Sequence, residues 1–169
     1  MENLPEKRQT AAIAIYNPAP GTKAIEIRRQ MVEIPEVAKA LTPVEKYVFA
    51  ASTKTQICEM DDETLVAKTG QMFKFIAMDV GFRVPTDRDE WAYICTRLLD
   101  ILKKYYSQLT LADIKLAFEL ATTGELNEFL PKDSQGNPDK NHYQQFNADY
   151  FAKILNAYRR KQNGTISKA

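Results

Sequence analysis

The chain is predicted to be all-α, a compact bundle of five to six helices behind a mobile N-terminal arm. Three observations lead there. Apolar residues recur at spacings of three and four along most of the 169 residues. Capping residues and glycines punctuate those runs where helices would start and stop. No segment alternates apolar and polar residues for long enough to make a strand.

Taken in order, residues 1–21 end in "YNPAPG", where proline and glycine favour an extended, mobile arm. "KAIEIRRQMVEI" predicts a helix stopping at Ile34, because Pro35 disfavours helical geometry in the residue before it. In "LTPVEKYVFAAS" Thr42 caps, Pro43 takes the first helical position and Glu45 lies three after the cap. Val44, Val48, Phe49 and Ala51 then form its apolar stripe. "DDETLVAKTGQMFKFIAMDVG" opens with acids and closes at Gly81, with Leu65, Val66, Met72, Phe73, Ile76 and Val80 inward and Gly70 inside the helix at some cost. "PTDRDEWAYICTRLLDILKKYYSQ" starts from Thr86 as cap and buries Trp91, Ile94, Cys95, Leu98, Leu99, Leu102 and Tyr105 or Tyr106. Thr110 with Asp113 caps a helix that buries Leu111, Ile114, Ala117, Phe118 and Ala121 and ends at Gly124. After the polar loop "PKDSQGNPDKNHYQQ", Asn147 caps a last helix with Tyr150, Phe151, Ile154, Leu155 and Tyr158 on one face.

The expected organisation is one domain over 22–162, made of N-terminal helices to 106 and a two-helix module over 107–162, followed by a disordered tail at 163–169. Hydrophobic residues at 44% and charged residues at 27% are ordinary for a globular protein. A net charge of +1 exerts no global pull on nucleic acid or membrane, but residues 147–169 carry five basic and one acidic side chains. Cys58 and Cys95, far apart and outside any CxxC pair, read as reduced core thiols. "MENLPEKRQT" is polar and "AAIAIY" is too short for a signal-peptide core or a membrane span, so a cytoplasmic protein without membrane contact is expected.

Several chemistries are excluded. There is no P-loop pattern, and one histidine, His142, rules out HExxH and Cys/His zinc clusters. A Ser/His/Asp triad would need His142, which sits in the polar loop rather than on a rigid element. The acids at Asp61, Asp62, Glu63 and at Asp87, Asp89, Glu90 are explained by helix capping. "DSQGNPDKN" has neither the spacing nor the closing glutamate of a calcium loop. No catalytic residue, metal or cofactor is expected, and the protein reads as a non-enzyme.

Two sets of residues could bind nucleic acid. "ETLVAKTGQMFKFIA" has the alanine and glycine of a helix-turn-helix, although one residue too close together, and its would-be reading helix offers only Gln71 and Lys74 to bases. This makes a sequence-specific regulator using 61–80 the alternative reading. The second set is a pair of basic-aromatic helix ends, Lys103-Lys104-Tyr105-Tyr106 and Tyr158-Arg159-Arg160-Lys161. Lys103, Lys104, Tyr105, Tyr106, Arg159, Arg160 and Lys161 could contact phosphates and stack on single-stranded bases. The competing account is that basic residues simply favour a helix C-terminus.

Leu109, Thr110, Asp113, Ile114, Ala117, Phe118, Gly124, Tyr143, Phe146, Asn147, Tyr150, Ala157 and Tyr158 make a rhythm that resembles a module of phage and prophage proteins. These are small helical proteins of Bacteroidetes mobile elements, some similar to replication accessory proteins or helicase loaders. The resemblance covers about residues 105–160 and rests on core and cap positions. It implies a replication adaptor of the non-ATPase kind that contacts another protein, such as a helicase, with single-stranded DNA as a weaker ligand.

Overall fold

Residues 23–169 are described by a computed structural model, and they contain seven α-helices and no strand. The expected arm, residues 1–21, lies outside the described residues. The helices are α1 (Ala24–Met31), α2 (Pro35–Ala40), α3 (Pro43–Ala51), α4 (Asp62–Asp79), α5 (Arg88–Tyr105), α6 (Leu111–Thr123) and α7 (Ala148–Lys168), with a 3₁₀ turn at Ile57–Glu59 before α4.

The all-helical expectation holds, with one more helix than anticipated. Pro35 does interrupt α1, leaving Ile34 extended at φ −87°, ψ 118°. The same proline then starts α2, because its fixed φ and missing N–H suit a first helical position. Only the interrupting role was anticipated.

The single domain expected over 22–162 is instead two compact units. One comprises the described residues up to Lys54 together with Gln162–Ala169. Its centre is Val37, Leu41 and Phe49, against which Met31, Ile34, Ile166 and Ala169 pack. The capping box of α3 is present: Glu45 N–H donates to Thr42 Oγ1 at 3.3 Å, and Thr42 N–H to Glu45 Oε2 at 2.9 Å. Glu45 also accepts from Lys168. Burial pushes the Glu45 carboxyl up, but the bonds from Lys168 and Thr42 outweigh it and hold the group below its ordinary value.

Lys168 belongs to the stretch expected to be a disordered tail, and that expectation is corrected. Helix α7 continues through residue 168, Thr165 is buried, and Ile166 fills the small core. Asn163 and Gly164 are poor helix formers, so packing overrides propensity here.

The other unit, Thr55–Lys161, holds most of the fold. Helix α4 packs on α5 and α6, and the turn before it packs on α5. Leu65, Phe73, Ile76, Leu98, Leu102, Ile114, Phe118, Phe151, Ile154 and Leu155 are all buried. Gly81, at φ +77°, ends α4 as the periodicity implied, with Phe82 N–H bonded to Ala77 O at 2.8 Å. Gly124, at φ +90°, ends α6 in the same way.

Other details correct or complete the sequence reading. The cap of α5 is Asp87 rather than Thr86, its carboxylate accepting from Asp89 and Glu90 N–H. Trp91, expected in the core, is only half-buried, and Val66 is exposed. Of the α5 pair, Tyr106 is the buried tyrosine and Tyr105 is exposed. Cys58 is exposed too, while burial pushes the half-buried Cys95 thiol up to about 11, leaving it protonated near neutrality.

Candidate functional site

The seven residues proposed for nucleic-acid contact are mostly engaged within the Thr55–Lys161 unit. Lys103 Nζ lies 2.6 Å from Asp62 Oδ1, which joins the end of α5 to the start of α4. Lys161 pairs with Glu125 at 3.3 Å, and Arg160 donates to Phe129 O at 3.3 Å. Tyr106 is buried, its hydroxyl bonded to Asn156 Oδ1 at 3.1 Å, so no base can stack on it. The Arg159 guanidinium covers its ring at 5.8 Å. Burial therefore raises the Tyr106 pKa, and the Arg159 charge offsets part of the rise.

Tyr106 thus brings the two predicted clusters together, but as a tertiary contact between α5 and α7. Of the seven, Lys104 and the exposed Tyr105 keep the form of a stacking site, with the ammonium 5.2 Å from the ring centroid. The helix-turn-helix alternative is overturned. Residues 62–79 are one uninterrupted helix in which Gly70 makes no turn, so no separate reading helix exists. The anionic start of that helix is structural as well. Asp61 accepts from Thr64 N–H and Oγ1, both at 2.8 Å, which lowers its carboxyl pKa.

Two concave features of this unit stand out, and neither was singled out as a site from sequence. The first is a groove of about 220 Å³ between α4 and α6. Met72, Phe75, Ile76 and Phe118 line it, with Lys68, Gln71, Asp79 and Lys115 around them. Phe75 is 53% exposed and Met78, one turn on, 61%. The α4 face reads 68, 71, 72, 75, 76, 79, a helical stripe parallel to the buried one. The sequence reading assigns Met72 and Ile76 of this stripe to the buried face and leaves Phe75 off it.

The second is a cleft of about 840 Å³ where the α4–α5 connection meets the loop before α7. The connection contributes Phe82 and Arg83, and α5 contributes Glu90. The loop contributes Asn141, His142 and Gln144. Behind it Phe82 and Trp91 each stack on Phe146, at 5.4 and 6.0 Å between centroids. His142 meets Phe82 and Tyr150 edge-on, and its Nδ1 is buried without a hydrogen-bond partner.

The loop beside this cleft is ordered by specific bonds. Asp133 accepts from Gln135 and Asn137 N–H, and Asp139 N–H donates to Pro131 O. Lys153 of α7, its side chain only 10% exposed, reaches Asp139 Oδ2 at 3.1 Å and Asn141 O at 2.5 Å. Its ammonium also lies over the rings of Tyr143 and Tyr150, at 5.4 and 5.8 Å. Held in this way, Tyr143 and Gln144 adopt left-handed φ values of 49° and 56°. Two successive non-glycine residues there cost about 1–3 kcal/mol each and persist only where their surroundings enforce them.

Burial raises the Asp139 carboxyl pKa, but Lys153 and the Asn141 N–H lower it more, and the net shift is downwards. Its bond to Lys153 therefore supports the loop above the ordinary aspartate range and is lost as pH falls through the lowered value. Lys153→Met is expected to cut amide-exchange protection over 131–145 by about tenfold, the worth of a charged hydrogen bond. Acid below the aspartate range should reproduce that loss in the parent protein. Protection unchanged in the variant would show that the loop does not depend on Lys153.

No family model, curated protein or solved structure matches the chain. Among the described residues, no three His, Cys, Asp or Glu side chains are grouped to hold a metal ion, and no helix is long and apolar enough to cross a membrane.

Proposed function

We propose that this protein is a non-enzymatic adaptor that seats a helix of a partner protein in the groove between α4 and α6. The observation that carries the proposal is an exposed phenylalanine, Phe75, on the wall of an apolar groove with a polar rim. A large apolar side chain left in water on a helix already packed on its other face is a feature of helix-in-groove recognition. The groove has room for one anchoring side chain, and the Lys68 ammonium on its rim suits an acidic neighbour of that anchor, whereas Lys115 already pairs with Glu119 at 3.8 Å. The resemblance of residues 105–160 to phage replication accessory proteins is the reason for naming a replication protein, such as a helicase, as the partner.

Burying the exposed half of Phe75 is worth about 0.8–1.5 kcal/mol, hence about fourfold to tenfold in affinity. A photo-crosslinking residue at Gln71 is expected to trap a heterologous protein. Phe75→Asp should abolish that adduct while leaving the chain folded, because half of the side chain is already in water. An adduct made only with a second copy of the chain, an adduct indifferent to Phe75→Asp, or no adduct would overturn the proposal.

A further inference from the structure

The cleft beside Phe82 lies on a different part of the unit from the groove, and its chemistry points to a different kind of occupant. Arg83 is exposed and, among the described residues, makes neither an ion pair nor a hydrogen bond. None of the acids near it in sequence pairs with it: Asp79 lines the α4–α6 groove, Asp87 caps α5, and Glu90 lines the cleft itself. The cleft therefore offers a guanidinium free to pair with an anion. Its walls also carry the rings of Phe82 and His142, and the Phe82 ring is braced from behind by Phe146. Such a wall suits a planar group.

The loop side supplies directional polar groups. Asn141 Oδ1 accepts from Tyr143 N–H at 2.7 Å, which orients the side chain and leaves its amide N–H groups to donate. Gln144 presents a second amide, and it does so from a left-handed backbone that glycine would adopt without strain. The Lys153 anchor maintains that strain. Strain held in place by a partly buried ion pair, at the wall of a cleft, is how a binding surface is kept preorganised.

We infer that this cleft binds a small ligand joining a planar, hydrogen-bonding ring to an anionic group, the chemistry of a nucleotide. Arg83 meets the phosphate, the joint wall of Phe82 and His142 lies against one side of the ring, and Asn141 and Gln144 read its edge. Glu90 accepts from hydroxyl or amino groups. The shared chemistry could come from a free nucleotide or from the end of a single strand.

The test is an NMR titration of the full chain with AMP, with inorganic phosphate and with a dT oligonucleotide. Saturable shifts with AMP at the amides of Phe82, Arg83, Asn141 and Gln144 are expected, with phosphate about tenfold weaker or more. Arg83→Gln should weaken AMP by about tenfold, the worth of one charged hydrogen bond, and leave the rest of the spectrum unchanged. Gln144→Gly should raise the melting temperature while lowering affinity, an opposition that a purely structural residue would not produce. Oligonucleotide binding no tighter than AMP would assign the free nucleotide, and markedly tighter binding the strand end. Phosphate matching AMP, shifts confined elsewhere, or none with any probe would overturn the inference.

Discussion

Phe151→Ala is expected to cost about 3–5 kcal/mol, the range for truncating a fully buried phenylalanine. Phe151 is completely buried, and its ring lies 4.6 Å from Phe118, 5.0 Å from Phe146 and 5.6 Å from Phe73. Those rings come from α6, from the segment before α7 and from α4, so one truncation loosens three elements. Close-packed aromatics collapse poorly into the space left behind. Urea denaturation measures the loss, and Phe151→Leu, which keeps most of the volume, should recover more than half of it. A loss below about 1 kcal/mol for the alanine variant would mean that the rings rearrange freely and that this cluster does not organise the unit.

The second large effect is expected at Asp113, which is 1% exposed. Its carboxylate accepts from Thr110 N–H at 2.9 Å as the third residue of the α6 capping box, and from the Tyr158 hydroxyl at 2.6 Å. Tyr158 is itself fully buried on α7. Asp113→Ala removes the acceptor from two buried donors and weakens the helix start, about 3 kcal/mol or more in sum. Tyr158→Phe deletes only one hydroxyl and should cost about 1–2 kcal/mol. In a double-mutant cycle the two changes should couple by more than about 0.5 kcal/mol. Strict additivity would show that the hydroxyl contributes nothing through Asp113.

Asp113 also illustrates how far a sequence can be read. Its spacing from Thr110 identifies a capping box, and the structure contains that box. Nothing in the spacing foretells the tyrosine 45 residues later that shares the carboxylate. The basic-aromatic ends behave alike. Their composition is visible in the chain, but whether Lys103 faces water or Asp62 depends on where α4 begins beside α5. Phe75 stands outside the inward set read for α4, but its place in a groove depends on Phe118 and Lys115 of α6, which no spacing within α4 foretells.

Local signals were sufficient for the all-helical class, for the starts at Thr42, Thr110 and Asn147, and for the stops at Gly81 and Gly124, because caps and left-handed glycines act within one turn of chain. Even there the α5 start moved by one residue, since Asp87 and Thr86 are both competent caps and the chain path chose between them. The helical end of α7, the division into two units, the pairing of Lys153 with Asp139 and both concave sites came from tertiary packing alone. Each depends on residues distant in sequence meeting in space. Burial energy, which can outweigh the poor propensity of Asn163 and Gly164 and hold Tyr143 and Gln144 in a strained backbone, appears only once they meet.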